Sequence, residues 1–317
     1  MRIIANLDRK NALAGGPVRS RIFAAFHLSA GPKMPTLSRE AIEHAHSLLI
    51  HSAAQCGYPP LNLVLARWGG TISRPSHVST VVMPRRNCIN ELRNAPPVVL
   101  PSMLLCDFGN LAAEVRAVEQ AGARALHLDV MDGMFVPNIT YGMPIVEAVR
   151  KVTDLPLDVH LMIAEPAKYV DAFIDAGADI VTIHAEAVDD PRPVLEQIRQ
   201  RGAAAGLAVN PPTPLEAIAE ALPLCDLVLA MGVMPGFGAQ KLDPVALDKL
   251  RALKQLLGDR ILLEIDGGVN AATVADCTRA GAQMLVVGSA IFRRSGGDYA
   301  ASIAELTALG QASVAVH

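Results

Sequence analysis

The stretch "LLEIDGGVNAATVADCTRAGAQMLVVGSA" (262–290) reads as a strand, a turn, a helix and a second strand. Its ends are short apolar runs, and "NAATVADCTRAGA" between them has amphipathic helical spacing and a glycine suited to a helix C-cap. Two strands joined through a helix run parallel. The same unit recurs from residue 98 onward. The apolar runs are "VVLPSML" (98–104), "ALHLDVM" (125–131), "LDVHLMI" (157–163), "IVTIHAE" (180–186), "AAGLAVN" (204–210), "LVLAMGV" (227–233), "LLEIDGG" (262–268) and "MLVVGSA" (284–290). Helical patterns such as "NLAAEVRAVEQAGA", "PAKYVDAFIDAGAD", "PRPVLEQIRQRG" and "DPVALDKLRALKQLLG" lie between them. Eight such repeats in about 210 residues predict an α/β fold, a closed (β/α)8 TIM barrel, with a doubly wound open sheet as the alternative.

Residues 1–95 are different material. They hold 12 Lys+Arg against 4 Asp+Glu, whereas residues 96–317 hold 16 against 27. Gly and Pro in "AGGPVRS", "SAGPKMPTLS", "GYPPLN" and "WGGTISRPS" interrupt every candidate element except one short helix around "TLSREAIEHAHSLLIHSA", capped by Ser38. The expected organisation is a poorly ordered N-terminal extension over 1–95 and a barrel over 96–317. A chain starting at Met83 is expected to keep full activity and stability. The Arg-rich, acid-poor start also fits an organellar transit peptide. His44, His46 and His51 read as solvated. The formal charge of −3 and the four Tyr, seven Phe and single Trp give neither a basic footprint nor a stacking platform, so no nucleic-acid partner is expected. No apolar run approaches the length that crosses a bilayer. Five cysteines without a CxxC pair argue against a zinc ribbon or a disulfide framework and fit a reducing cytoplasm.

The chemistry collects at strand ends, where a barrel of this kind places its site. In "ALHLDVMDGMFVPNIT" (125–140), His127 and Asp129 stand two apart, so both project to one face of a strand that is otherwise apolar. Burying an unpaired carboxylate is costly, and something must balance it. His160 in "LDVHLM" and Asp266 in "LEIDGG" stand at the same level of their strands. Any one of these could be a hydrogen-bonded core polar group. Together they form an N2O2 set suited to one divalent ion, Zn, Fe(II), Mn or Co. Ser102, His184, Asn210 and Ser289 lie at equivalent positions. Glycine-bearing turns follow strands six, seven and eight, "MPGFGAQ" (234–240), "DGGV" (266–269) and "VGSA" (287–290), where backbone N–H groups can approach an anion such as a phosphate. Met131, Met162 and Met231 at strand ends read either as core filling or as a ring about the ion. Asp132 in "MDG" reads as a turn organiser.

"PSMLLCDF", "HLDVMDGMFVPNITYG", "DVHLM", "PGFGAQ" and "EIDGGVN", in this order, resemble the ribulose-phosphate 3-epimerase family over roughly residues 96–310. The resemblance implies that His127, Asp129, His160 and Asp266 hold the metal, with Asp129 and Asp266 also the catalytic acid/base pair. It further implies that Ser102 and His160 contact substrate within a ring of Met131, Met162 and Met231. Gly236, Gly238, Gly267, Gly268, Gly288 and Ser289 would take the phosphate. The sequence departs from the family pattern at Met134, Gly232, Met234 and Ala239, where His, Ser, Asn and Gly are usual. These positions border the substrate and phosphate loops.

The activity so implied is interconversion of D-ribulose 5-phosphate and D-xylulose 5-phosphate through a 2,3-enediolate, in the pentose phosphate pathway. A 3-epimerase of a ketohexose 6-phosphate, such as allulose 6-phosphate, and a non-catalytic phosphate-binding barrel are the alternatives. The expected partner is a ketose phosphate, in the cytoplasm, with a homo-oligomer left open and no membrane association.

Overall fold

Eight strands form where the apolar runs place them: β1 Val98–Pro101, β2 Leu126–Met131, β3 Leu157–Met162, β4 Ile180–His184, β5 Ala204–Val209, β6 Leu227–Met231, β7 Leu262–Asp266 and β8 Met284–Val287. All adjacent pairs are parallel, in the order β1-β8-β7-β6-β5-β4-β3-β2. A bridge between Ser102 and His127 joins β1 to β2 and closes the barrel. The computed structural model describes residues 86–94, 97–238, 240–294 and 297–314. The chain divides into two units, Met1–Ser76 and His77–His317. The expectations for the helix after Ser38, the start at Met83 and the transit-peptide reading lie outside the described residues.

Period-two alternation sorts each strand into two environments. Leu126, Leu128 and Val130 of β2 and Leu157, Val159 and Leu161 of β3 point outward into the shell packed by the helices. The alternate residues, His127, Asp129 and Met131 on β2 and Asp158, His160 and Met162 on β3, therefore face the barrel axis. The same alternation turns Thr182, His184, Met231, Glu264 and Asp266 inward. The interior is tight: a Cβ at Gly206 would lie 2.1 Å from Thr182 Oγ1, so only glycine fits this point of β5.

Helices Leu111–Gln120, Val170–Asp175, Arg192–Gln200, Pro244–Leu257 and Val274–Arg279 occupy the patterned segments, and Tyr299–Val314 completes the shell. Met143–Arg150 is a further helix between β2 and β3, with Val146 and Val149 buried and Pro144 in its first turn, where no N–H is needed. Between β5 and β6 there are only the short 3-10 turns Leu215–Ile218 and Leu222–Leu224. Pro211, Pro212, Pro214 and Pro223 in that segment deny it the N–H groups of a continuous α-helix.

The barrel unit also takes in residues ahead of the expected boundary at 95/96. Cys88–Arg93 is a helix whose Cys88, Ile89 and Leu92 are buried together with Val98, Ala125, Ile180, Ala204, Leu227, Leu262 and Met284, at the N-terminal ends of the strands. The helix plugs the end of the barrel opposite the site. Arg86 fixes its approach through a two-pronged ion pair, Nε to Asp226 Oδ2 at 3.0 Å and Nη2 to Asp226 Oδ1 at 2.6 Å.

Candidate active site

The inward residues at the C-terminal strand ends open into a cavity of about 200 Å³. Ser102, Asp129, Met131, Met162, Met231, Asp266, Gly236, Gly238, Gly267, Gly268, Gly288 and Ser289 all line it. The three methionines and the three glycine turns read from sequence thus surround one space, with the two carboxyl groups in its floor. Positive φ at Gly267 (105°) and Gly268 (75°) bends the chain immediately after Asp266, and a Cβ at 268 would meet Leu242 N at 2.3 Å. His127 and His160 are fully buried beneath the floor, so the structure places His160 behind the carboxylates rather than on the cavity wall.

Each of His127, Asp129, His160 and Asp266 offers a ligand atom, and all four atoms lie within 4.8 Å of one another. Asp129 Oδ1 is 3.3 Å from His127 Nε2 and 3.4 Å from His160 Nδ1, which is in turn 3.8 Å from Asp266 Oδ2. Those two ring nitrogens are buried and have no hydrogen-bond partner. Buried nitrogens are rarely left this way, and both face the same pair of carboxylates. The donor set and its two orphaned atoms fit a divalent cation. Ser102 Oγ donates to Asp129 Oδ2 at 2.7 Å, and Thr140 Oγ1 donates to the Asp129 carbonyl at 2.7 Å, which fixes this residue from two sides.

The charges are unequal by construction of the site. Burial disfavours an ionised Asp129, but the His127 imidazolium beside it holds its carboxyl well below the usual range. Burial and then the Asp129 charge push Asp266 up to about 7. Burial alone would lower His127, yet Asp129 and Asp158 hold its imidazolium well above the ordinary value.

A cation must therefore displace a proton from His127, and it is held more weakly while Asp266 keeps its own. Affinity for cobalt(II) is expected to rise as pH increases through about 7, the sign for a ligand whose raised pKa keeps it protonated below that point. Proton release on cobalt addition at pH 6, followed in weak buffer, checks this. His160→Ala removes one of four ligands and should greatly weaken retention; undiminished metal in that variant, by elemental analysis, would move the site elsewhere.

A lower tier of polar residues escaped the sequence reading. His127 Nδ1 donates to Asp158 Oδ2 at 2.6 Å and lies 3.4 Å from Glu264 Oε1. Burial and the Asp158 charge push Glu264 well above the usual carboxylate range, which spares the interior a second unpaired anion. Both stand two residues before a site residue, in "DVH" and "EID", and that spacing was the available signal. Asp132 has the turn role expected: Oδ1 accepts from Met134 N (2.8 Å) and Phe135 N (2.9 Å), and Oδ2 accepts from Ala164 N (2.8 Å). Asn138 Nδ2 donates to the Gly236 carbonyl at 2.7 Å and ties the loop after β2 to the turn after β6. Met134 and Met234 stand exposed. At Gly232 a Cβ would fall 2.2 Å from the Gly267 carbonyl, so the space beside this position is filled by the β7 turn. Ala239 lies outside the described residues.

Comparison with known proteins gives one family. The model of the ribulose-phosphate 3 epimerase family matches residues 98–292. The ribulose-phosphate 3-epimerase of Bacillus subtilis is 49% identical over 201 residues, 62% of this chain and 93% of that protein. That of Synechocystis is 49% identical over 212 residues, 65% of this chain and 91% of that protein. The chloroplastic ribulose-5-phosphate-3-epimerase of Arabidopsis thaliana is 46% identical over 220 residues, 68% of this chain and 78% of that protein. Among solved structures, Mycobacterium tuberculosis tryptophan synthase superposes with a TM-score of 0.55 at 17% identity, over 71% of this chain and 98% of that one, a likeness of fold alone.

Proposed function

The chain belongs to the ribulose-phosphate 3-epimerase family, and from that premise we propose that Asp129 and Asp266 carry the proton by which D-ribulose 5-phosphate and D-xylulose 5-phosphate interconvert. The observation that carries the reading is the pair itself. Two carboxyl groups on β2 and β7 share one cavity floor, one held ionised and one able to keep its proton near neutrality. Groups whose pKa values are pushed apart suit opposite roles.

Inversion beside a ketone needs one base to remove the C3 proton and one acid to return a proton to the other face. Asp129 is placed to accept, Asp266 to donate, and the reverse reaction exchanges the roles. Ser102 keeps Asp129 oriented through its 2.7 Å hydrogen bond. Met131, Met162 and Met231 limit water around the reacting carbon, and the turns at Gly236, Gly238, Gly267, Gly268, Gly288 and Ser289 offer room and backbone N–H groups for the phosphate. A divalent cation held by His127, Asp129, His160 and Asp266 supplies, when bound, Lewis-acid stabilisation of the charge that proton removal creates. Among the described residues no helix is long and apolar enough to cross a membrane, and cysteine usage supports a cytoplasmic setting.

Incubating D-ribulose 5-phosphate with the metal-replete protein in D2O should place deuterium at C3, with little at C1 or C4. Faster turnover of a ketohexose 6-phosphate than of either pentose phosphate would reassign the substrate. No C3 exchange with any ketose phosphate would sink the epimerase reading.

A further inference from the structure

His184 and Glu186 take no part in the proton transfers above, yet they form a line behind the site. His160 Nε2 meets His184 Nε2 at 2.8 Å, and His184 Nδ1 meets Glu186 Oε2 at 3.2 Å. Glu186 Oε1 accepts from Asn210 N at 2.8 Å. Lys249 Nζ in turn donates to the carbonyls of Asn210, at 2.5 Å, and of Thr213. Both histidines are fully buried.

Two imidazoles that meet Nε2 to Nε2 share one proton, so one ring donates and the other accepts. If His184 donated, its Nδ1 would aim a lone pair at Glu186, and His160 Nδ1 would carry a proton. If His160 donates, His184 Nδ1–H can donate to Glu186, and His160 Nδ1 presents a lone pair toward Asp129 Oδ1 and Asp266 Oδ2. An ionised carboxylate only accepts, so Glu186, hydrogen-bonded to His184 Nδ1 at 3.2 Å, selects the second arrangement, whereas Asp129, 3.4 Å from His160 Nδ1, forms no hydrogen bond there that would enforce the first. Burial works against its charge, but hydrogen bonds from His184, Thr213 and Asn210 hold its carboxyl below the usual range.

We propose that Glu186 and His184 are positioning residues: the directed chain His160 to His184 to Glu186 fixes the His160 tautomer whose Nδ1 lone pair a divalent cation requires. This rests on the cation reading of the site. Residues that orient a metal-ligating histidine in this way typically change affinity by about tenfold to a hundredfold when replaced.

Two measurements on one protein test it. In metal-free protein carrying 15N-labelled histidine rings, His160 is expected to be protonated on Nε2 and His184 on Nδ1. Glu186→Gln, whose amide can present either an acceptor or a donor, should give mixed tautomers. Its cobalt(II) affinity, by competition with a chromophoric chelator, should fall about tenfold or more, and so should that of His184→Gln. Should the His184 variant fail to fold, Glu186→Gln, at the partly exposed end of the chain, carries the test. His160 protonated on Nδ1 in the wild-type protein overturns the proposal, as does cobalt(II) affinity in the folded variants equal to wild type. Wild-type protein that takes up no cobalt(II) overturns the cation reading and this proposal with it, a result distinct from uptake that the variants leave unchanged.

Discussion

Asp266→Asn is expected to lower epimerisation and C3 exchange in D2O together, by about two to four orders of magnitude, the range usual for loss of a positioned general acid or base. An amide neither accepts nor returns the proton, while its size leaves the Gly267–Gly268 turn undisturbed. The effect should fall on kcat rather than on KM, because the phosphate turns and the methionine ring are intact. Metal content must be measured on the same sample, since Asp266 also stands in the four-residue cluster. A variant that keeps its metal and loses exchange assigns the proton to Asp266. One that keeps both metal and exchange leaves Asp129 without its partner and removes the two-carboxyl mechanism.

The upper tier of the site was legible because a strand has only two faces. Once His127 and Asp129 are seen two apart in an apolar run, and His160 and Asp266 at the same level of later strands, convergence follows from parallel strands closing into a barrel. Asp158 and Glu264, which the reading passed over, take the same inward face in the structure, and nothing in "DVH" or "EID" says that His127 Nδ1 would choose Asp158 as its acceptor. That choice depends on the register that sets His127 beside Asp158 across β2 and β3. Glu186 was harder still. It lies past the end of β4 in the 3-10 turn Ala185–Ala187, and its charge is held by the backbone of Asn210 after β5, itself gripped by Lys249 from the helix after β6. Such a set is assembled by three separate segments and has no local period. The plug helix failed for another reason: the six residues "CINELR" are too few for an amphipathic repeat to declare itself.

That helix carries the second large expected effect, on stability rather than on chemistry. Leu92 is 2% exposed and sits against the first inward residues of several strands, among them Leu227, Leu262 and Met284. Leu92→Ala leaves a cavity at the closed end of the barrel and should cost about 2–5 kcal/mol, the range for a buried leucine truncated in a packed core. For a domain of this size that corresponds to a fall in Tm of roughly 2–4 °C per kcal/mol. A chain beginning at residue 97 loses the whole plug and the Arg86–Asp226 ion pair, and exposes Val98, Ala125, Ile180 and Ala204 to water. It should melt lower than Leu92→Ala and bind a hydrophobic dye. A chain beginning at Met83 retains the helix and should match the full-length protein in Tm and in activity, because the site lies at the opposite strand ends. Thermal melts of the three proteins separate the possibilities. A chain from residue 97 as stable as one from Met83 would show that the strand ends close without the helix and would return the boundary to 95/96.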